Sequence, residues 1–221
     1  MKNNSFILVL TSIICLSPII LALTVYNDLP ENIAMQWSFD GSPNWFAPKA
    51  TAAFGMPIFF AVLNVLVVIL INSDPRRKNI SAKMITFVHW LVPFIALVIV
   101  PVILFMNMGI KLPIVLIALI LFGVMFIFIG NYLPKCKQNY LVGFRFSWTL
   151  NDSENWNKTH RIGGYFLILG GVLFIILAFL PLENHVSLIL FFSILVLILT
   201  VPILYSYSIH KKNKQKENYY G

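Results

Sequence analysis

The chain is poor in charge. Of its 221 residues only 11% are Asp, Glu, Lys or Arg, against 59% hydrophobic, and mean hydropathy is +0.84. Ordinary globular chains carry about 25% charged and about 45–50% apolar residues, so there is too little polar surface to cover a soluble core of this size. The same figures exclude a disordered chain. Cysteine is scarce: Cys15 and Cys136 alone make neither a disulfide framework nor a metal cage. The eight acidic residues all lie outside the long apolar runs, and no two of the four histidines share a helical face at i, i+3 or i, i+4. Membrane hydrolases and proton-coupled carriers usually need ionisable groups at depth, and here only His89 qualifies. We therefore expect no enzyme, no metal and no cofactor.

What the sequence does have is six uncharged runs, at Asn3–Asn27, Ala50–Ser73, Met84–Ile110, Leu112–Pro134, Ile162–Leu182 and Asn184–Ile209, each at least 21 residues long. About 20 apolar residues span the hydrocarbon core as a helix. Stretches such as Val115–Ile129 show neither alternation nor a polar stripe, unlike barrel strands. The expectation is an all-α, polytopic membrane helix bundle of six transmembrane helices, with its tightest turn near Asn107–Lys111. The first run is too long for a signal h-region and reads as a retained helix. Pro57, Pro93, Pro101 and Pro202 interrupt spans and are candidate kinks. Asn64 reads as an interhelical hydrogen-bonder, and His89, beside Trp90, as a neutral, hydrogen-bonded histidine.

Lys and Arg fall asymmetrically. With the amino terminus inside, fourteen of the sixteen lie on the inner side and only Lys49 and Lys111 outside. That bias sets topology and predicts a multi-pass cell-membrane protein with both termini cytoplasmic. The basic tail at 210–221 then suits the anionic face of the lipid bilayer, and no direct nucleic-acid contact is expected. Two segments are long enough to carry function. The expected division is an amino-terminal two-helix unit, 1–83, with an extracellular loop at 27–49, and a four-helix unit, 84–221, with a cytoplasmic loop at 135–161.

The outer loop contains the turn dipeptides Asp40-Gly41 and Ser42-Pro43 after a strand-like Met35–Phe39, whose alternation puts Met35, Trp37 and Phe39 on one side. Trp37, Trp45 and Phe46 either rest in the headgroup belt or form an exposed patch for a ligand. In the inner segment, Asn151 with Glu154 suggests a helix start and Glu154 pairs with Lys158 at i, i+4. Trp156, His160 and Gly163/Gly164 share one face leading into the fifth span. A structural elbow and a partner-binding surface explain this segment about equally well.

The inner segment resembles the SdpI family of bacterial immunity proteins through Asn131, Pro134 and Lys135, then Asn139, Gly143 and Arg145, then Trp148, Thr149 and Leu150, then Glu154, Trp156, Thr159, His160 and Arg161. The outer loop resembles the domain of unknown function often fused to that family, through Leu29-Pro30, Ile33, Gly41 and Lys49. Gln36 stands where that domain often has His, and Phe146-Ser147 where Thr-Pro commonly follows the Arg. The resemblance implies protection against a secreted peptide toxin, together with membrane sequestration of a cytosolic transcriptional repressor. It makes Trp37, Asp40, Gly41 and Trp45 candidate toxin-facing residues. Asn131, Pro134, Asn139, Gly143, Arg145, Trp148, Thr149, Trp156, His160 and Arg161 become the candidate cytoplasmic motif. A small membrane transporter or exporter is the competing class.

Overall fold

A computed structural model describes residues 2–38 and 42–220. Among the described residues six helical segments are long and apolar enough to cross a membrane: Ser5–Asp28, Thr51–Ser73, Ala82–Asn107, Ile114–Lys135, Ser153–Phe179 and His185–Gln215. The chain is a multi-pass helical membrane protein. By secondary structure the order is α1 (Lys2–Leu16), α2 (Pro18–Val25), β1 (Asn32–Trp37), β2 (Pro43–Pro48), α3 (Met56–Ser73), α4 (Ala82–Asn107), α5 (Ile114–Tyr132), α6 (Ser147–Asn151), α7 (Ser153–Phe179) and α8 (Asn184–Tyr220).

The prolines act locally. Pro18 has no N–H to give the carbonyl four residues back, so the Ser17 N–H and hydroxyl both donate to Ile14 O, at 3.2 and 2.8 Å. The Ile14 carbonyl, which the proline deprives of its helical donor, is thus satisfied, as a bilayer demands. Ahead of Pro57 the helix widens into a π turn, Thr51–Gly55, with Met56 N–H reaching Thr51 O. Pro93 and Pro101 lie inside α4 and Pro202 inside α8, and these helices continue through them.

The chain divides into two compact units. Met1–Asn72 with Ile85–Ile114 form one, and Ser73–Met84 with Val115–Gly221 the other. This cut differs from the sequence division at 83/84, since most of α4 packs with the first unit and the connector before it with the second. In the first unit Asn64 is fully buried and donates to Thr11 Oγ1 at 2.9 Å and Ser12 Oγ at 3.2 Å, the interhelical role its sequence position suggested. His89 is buried as well. α4 closes in a Schellman turn: Gly109 at φ +86° lets Ile110 N–H reach Phe105 O and Gly109 N–H reach Met106 O, which makes the short Asn107–Lys111 turn possible.

In the second unit α5 and α7 meet along glycines. Gly123 opposes Gly171 and Gly130 opposes Gly164, and a Cβ on Gly164 would stand 2.7 Å from Gly130 O. Such backbone approach substitutes for hydrophobic driving force, which lipid does not supply between helices. Phe174, fully buried, packs between Phe126 of α5 and Phe191 of α8 at 5.7 and 5.1 Å.

Candidate functional site

The hairpin of the first unit is antiparallel, pairing Ile33 with Ala47 and Ala34 with Phe46, and its register is irregular around Gln36. The expected alternation holds: Met35 and Trp37 pack on the core formed by Ile33, Ala52, Val100 and Leu104, while Gln36 is exposed. Asn107 at the end of α4 clamps β1. Its side-chain amide donates to Ala34 O at 2.9 Å and its Oδ1 accepts from Ala34 N–H at 2.7 Å, so the outer edge of β1 is blocked against further strand pairing. Glu31 and Lys49 close the hairpin base at 2.8 Å, with Lys49 also over the Tyr26 ring; the hydrogen bond that the Lys49 ammonium donates to the Glu31 carboxylate holds it above its ordinary pKa. Trp45 and Phe46 on β2 are more than half exposed. The structure thus separates the aromatic candidates: Trp37 is seated and Trp45 presented. Asp40, Gly41 and Phe39 lie outside the described residues.

The Asn107 clamp gives a direct expectation. Asn107→Ala removes both bonds to Ala34, leaving polar groups that cost about 1–3 kcal/mol when unmet. The hairpin amides should exchange hydrogen faster by roughly one to two orders of magnitude, with α3 protection unchanged. Unaltered hairpin exchange would show that the clamp does not hold β1.

The motif segment of the second unit is a knot of side chains bonded to its own backbone. Asn139, fully buried, accepts from the Leu141 and Val142 N–H groups at 3.0 and 2.7 Å and donates to Lys137 O at 2.9 Å. Its amide therefore shapes the turn before Gly143. Gly143 sits at φ +116° because the chain must fold onto His160: a Cβ there would stand 2.0 Å from His160 Nε2. That nitrogen accepts the Phe144 N–H at 3.1 Å, while Nδ1 lies 2.8 Å from Trp156 O. A carbonyl can only accept, so Nδ1 carries the proton and the ring is a neutral Nδ1–H tautomer. Trp156 stacks on it at 3.8 Å and donates its indole N–H to Cys136 O at 2.8 Å. Thr149 accepts the Phe146 N–H at 2.9 Å and its hydroxyl lies 2.8 Å from Phe144 O. The Arg145 guanidinium donates to Tyr140 O from an exposed position.

The motif residues thus separate by environment. Asn139, Thr149, Trp156 and His160 are buried scaffold, and Trp148 is half-buried, its indole donating to Ser206 Oγ at 3.0 Å. Asn131, Pro134, Gly143, Arg145 and Arg161 are exposed, and Pro134 packs against Gly164. The Glu154–Lys158 pair forms at 2.5 Å. One expectation needs correcting: the α7 cap is Asp152, which accepts from Glu154 and Asn155 N–H, whereas Asn151 ends the short helix α6.

Several partners lie far away in sequence. Asp74, buried, accepts the Tyr140 N–H at 3.0 Å and the Arg76 N–H at 2.7 Å. Asn79 donates to Gln138 O and accepts the Lys137 N–H. Ser206 of α8 donates to Asn155 Oδ1 at 2.9 Å, and Thr159 donates to the same oxygen. The Asn155/Thr159 spacing of four, next to Trp156 and His160 on the same buried face, is the one local signal of this polar cluster.

Residues 135–206 match the SdpI/YfhL protein family, and 13–61 a domain of unknown function (DUF1648). The chain is also 29% identical over 212 residues to Immunity protein SdpI of Bacillus subtilis (strain 168), a match covering 96% of this chain and 98% of that protein. No solved structure matches. The SdpI/YfhL match takes in the self-bonded segment from Lys135 through α7 to Ser206, and the amino-terminal match takes in the hairpin.

Proposed function

We propose that this chain is a non-enzymatic membrane immunity protein that protects the cell carrying it against a secreted peptide toxin, and that it signals by holding a cytosolic transcriptional repressor at the membrane. The supporting observation is the match to an immunity protein along nearly the whole of both chains. In this reading the hairpin faces outside and the motif segment and both termini face the cytoplasm, in line with the Lys/Arg asymmetry. The toxin meets the outer loop at Trp45, with Trp37, Asp40 and Gly41 as the further candidates of that loop. Trp45 has the character of a contact anchor, a large amphipathic ring held on a strand and more than half exposed. The repressor meets the motif segment at Arg145 and Arg161, exposed guanidinium forks suited to carboxylates, in a segment that also carries exposed Lys135 and Lys137.

The test is survival of sensitive cells expressing the chain when challenged with supernatant from a toxin-secreting producer. Protection should appear with the chain and weaken with Trp45→Ala at equal membrane levels. Killing indistinguishable from empty-vector cells would refute the reading. Topology is tested separately. Cys136 is buried, so its failure to react with a thiol reagent carries no information about side. Cysteines at exposed Ser42 and Asn157 are informative: an impermeant maleimide should label Ser42→Cys in intact cells and Asn157→Cys only after lysis. The reverse pattern would invert the arrangement.

A further inference from the structure

A cleft of about 350 Å³ opens between α6, the start of α7 and the end of α8, walled by Ser147, Trp148, Asn151, Asp152, His210, Asn213 and Lys214. The only carboxylate among these described lining residues, Asp152, is already engaged. Asp152 Oδ1 accepts the Glu154 and Asn155 N–H groups and Oδ2 accepts the Asn213 amide at 3.0 Å. The Lys214 ammonium, the Ser147 hydroxyl and the Asn151 amide are exposed, and none makes a hydrogen bond to another described residue. The cleft therefore offers a cation and neutral groups able to donate, beside a carboxylate whose two oxygens already accept hydrogen bonds, a composition that can receive an anion with several acceptor oxygens.

Its place on α8 says which anion. The apolar run of that helix ends at Ile209, and Lys211, Lys212 and Lys214 follow at once. Just before the boundary Leu204 is 67% exposed and Tyr207 53% exposed, an apolar surface followed by the aromatic belt of a membrane interface. Trp148 forms one rigid wall, stacked on Phe146 at 4.9 Å and on His210 at 5.7 Å, with Tyr207 against its edge. A ligand in this cleft would meet the basic end of α8, next to its exposed apolar surface.

We infer that this cleft seats the phosphate of an anionic phospholipid headgroup, with Lys214, Ser147 and Asn151 as donors and the Trp148–His210 wall against its glycerol. Basic pockets at helix ends recognise such headgroups through the phosphate, while diffuse basic tails only attract the surface. The inference does not depend on the immunity reading or on which side of the membrane this end faces.

The experiment uses the purified full-length chain in detergent and a fluorescent phosphatidylglycerol, displaced by short-chain phosphatidylglycerol, short-chain phosphatidylcholine or inorganic phosphate. Phosphatidylglycerol should displace the probe at about tenfold lower concentration than phosphatidylcholine, and Lys214→Gln should weaken it about fivefold. Lys211→Gln, which removes the same charge outside the cleft, should change displacement less than about twofold. Equal losses from the two lysine variants would reduce the site to diffuse attraction. Equal displacement by the two lipids would remove the headgroup from the argument, and displacement by inorganic phosphate as strong as by phosphatidylglycerol would make the site one for a free anion. Any of these three results overturns the inference.

Discussion

Gly143→Ala should all but eliminate the folded protein from the membrane, although it adds a single methyl group at an exposed position. Two independent costs meet there. At φ +116° an L side chain is strained, by about 1–3 kcal/mol. The new Cβ would also stand 2.0 Å from His160 Nε2 and 2.7 Å from Cδ2, so the ring or the turn has to move. The ring cannot move cheaply. It is fully buried, stacked on Trp156, and bonded through both nitrogens to the Phe144 and Trp156 backbones. Displacing it loses two hydrogen bonds, about 1 kcal/mol each at the least, and unseats the turn shaped by Asn139. A total of about 3–5 kcal/mol is a large share of the stability of a typical domain. The measurement is membrane abundance and thermal unfolding of the purified variant, beside His160→Ala and the double variant. Because both single changes attack one contact, the double variant should be markedly less destabilised than their sum. Wild-type abundance and melting for Gly143→Ala would show that the packing of this turn is not what holds the motif.

That glycine marks the limit of what the linear sequence discloses. The six spans were legible because bilayer thickness fixes a length and lipid fixes a composition, and both are local properties. The first strand of the hairpin was legible from alternation at Met35 and Trp37, and the short turn after Asn107 from charge spacing alone; the second strand, Pro43–Pro48, bounded by prolines at both ends, was not. The cap of α7 was misplaced by one residue because Asn151 and Asp152 are both good caps; the choice was made by α6, a one-turn helix too short to announce itself. The partners of the motif were not legible at all. Ser206 lies in an apolar span and Asp74 in a basic connector, and nothing near either residue in sequence points to Asn155 or Tyr140. The same holds for Trp37 and Trp45, which are equal as letters of one loop; only packing against Ile33 and Leu104 turns one inward and leaves the other presented. Residue chemistry named the participants, and tertiary contact assigned them to scaffold or surface.

That assignment separates two substitutions within the motif. Trp156→Ala removes a ring only 1% exposed, opens a cavity beside His160 and leaves Cys136 O without its indole donor. Truncations of this size cost about 3–5 kcal/mol, and the orphaned carbonyl adds to that. Membrane levels should fall severely, and resistance to toxin should fall only in proportion to them. Arg145→Ala should behave in the opposite way. Its guanidinium is exposed and returns a hydrogen bond to Tyr140 O within the same turn, a turn already fixed by Asn139 and by Asp74 at Tyr140 N–H. The protein should insert and accumulate normally, yet toxin resistance, repressor recruitment or both should be impaired, because a planar fork of donors at the surface has been removed. The decisive readout is survival of toxin-exposed cells and membrane retention of the repressor, each normalised to the amount of variant in the membrane. If Arg145→Ala retains full resistance and full recruitment per molecule, the motif is an elbow that shapes the chain, and the partner surface has to be sought elsewhere on the protein.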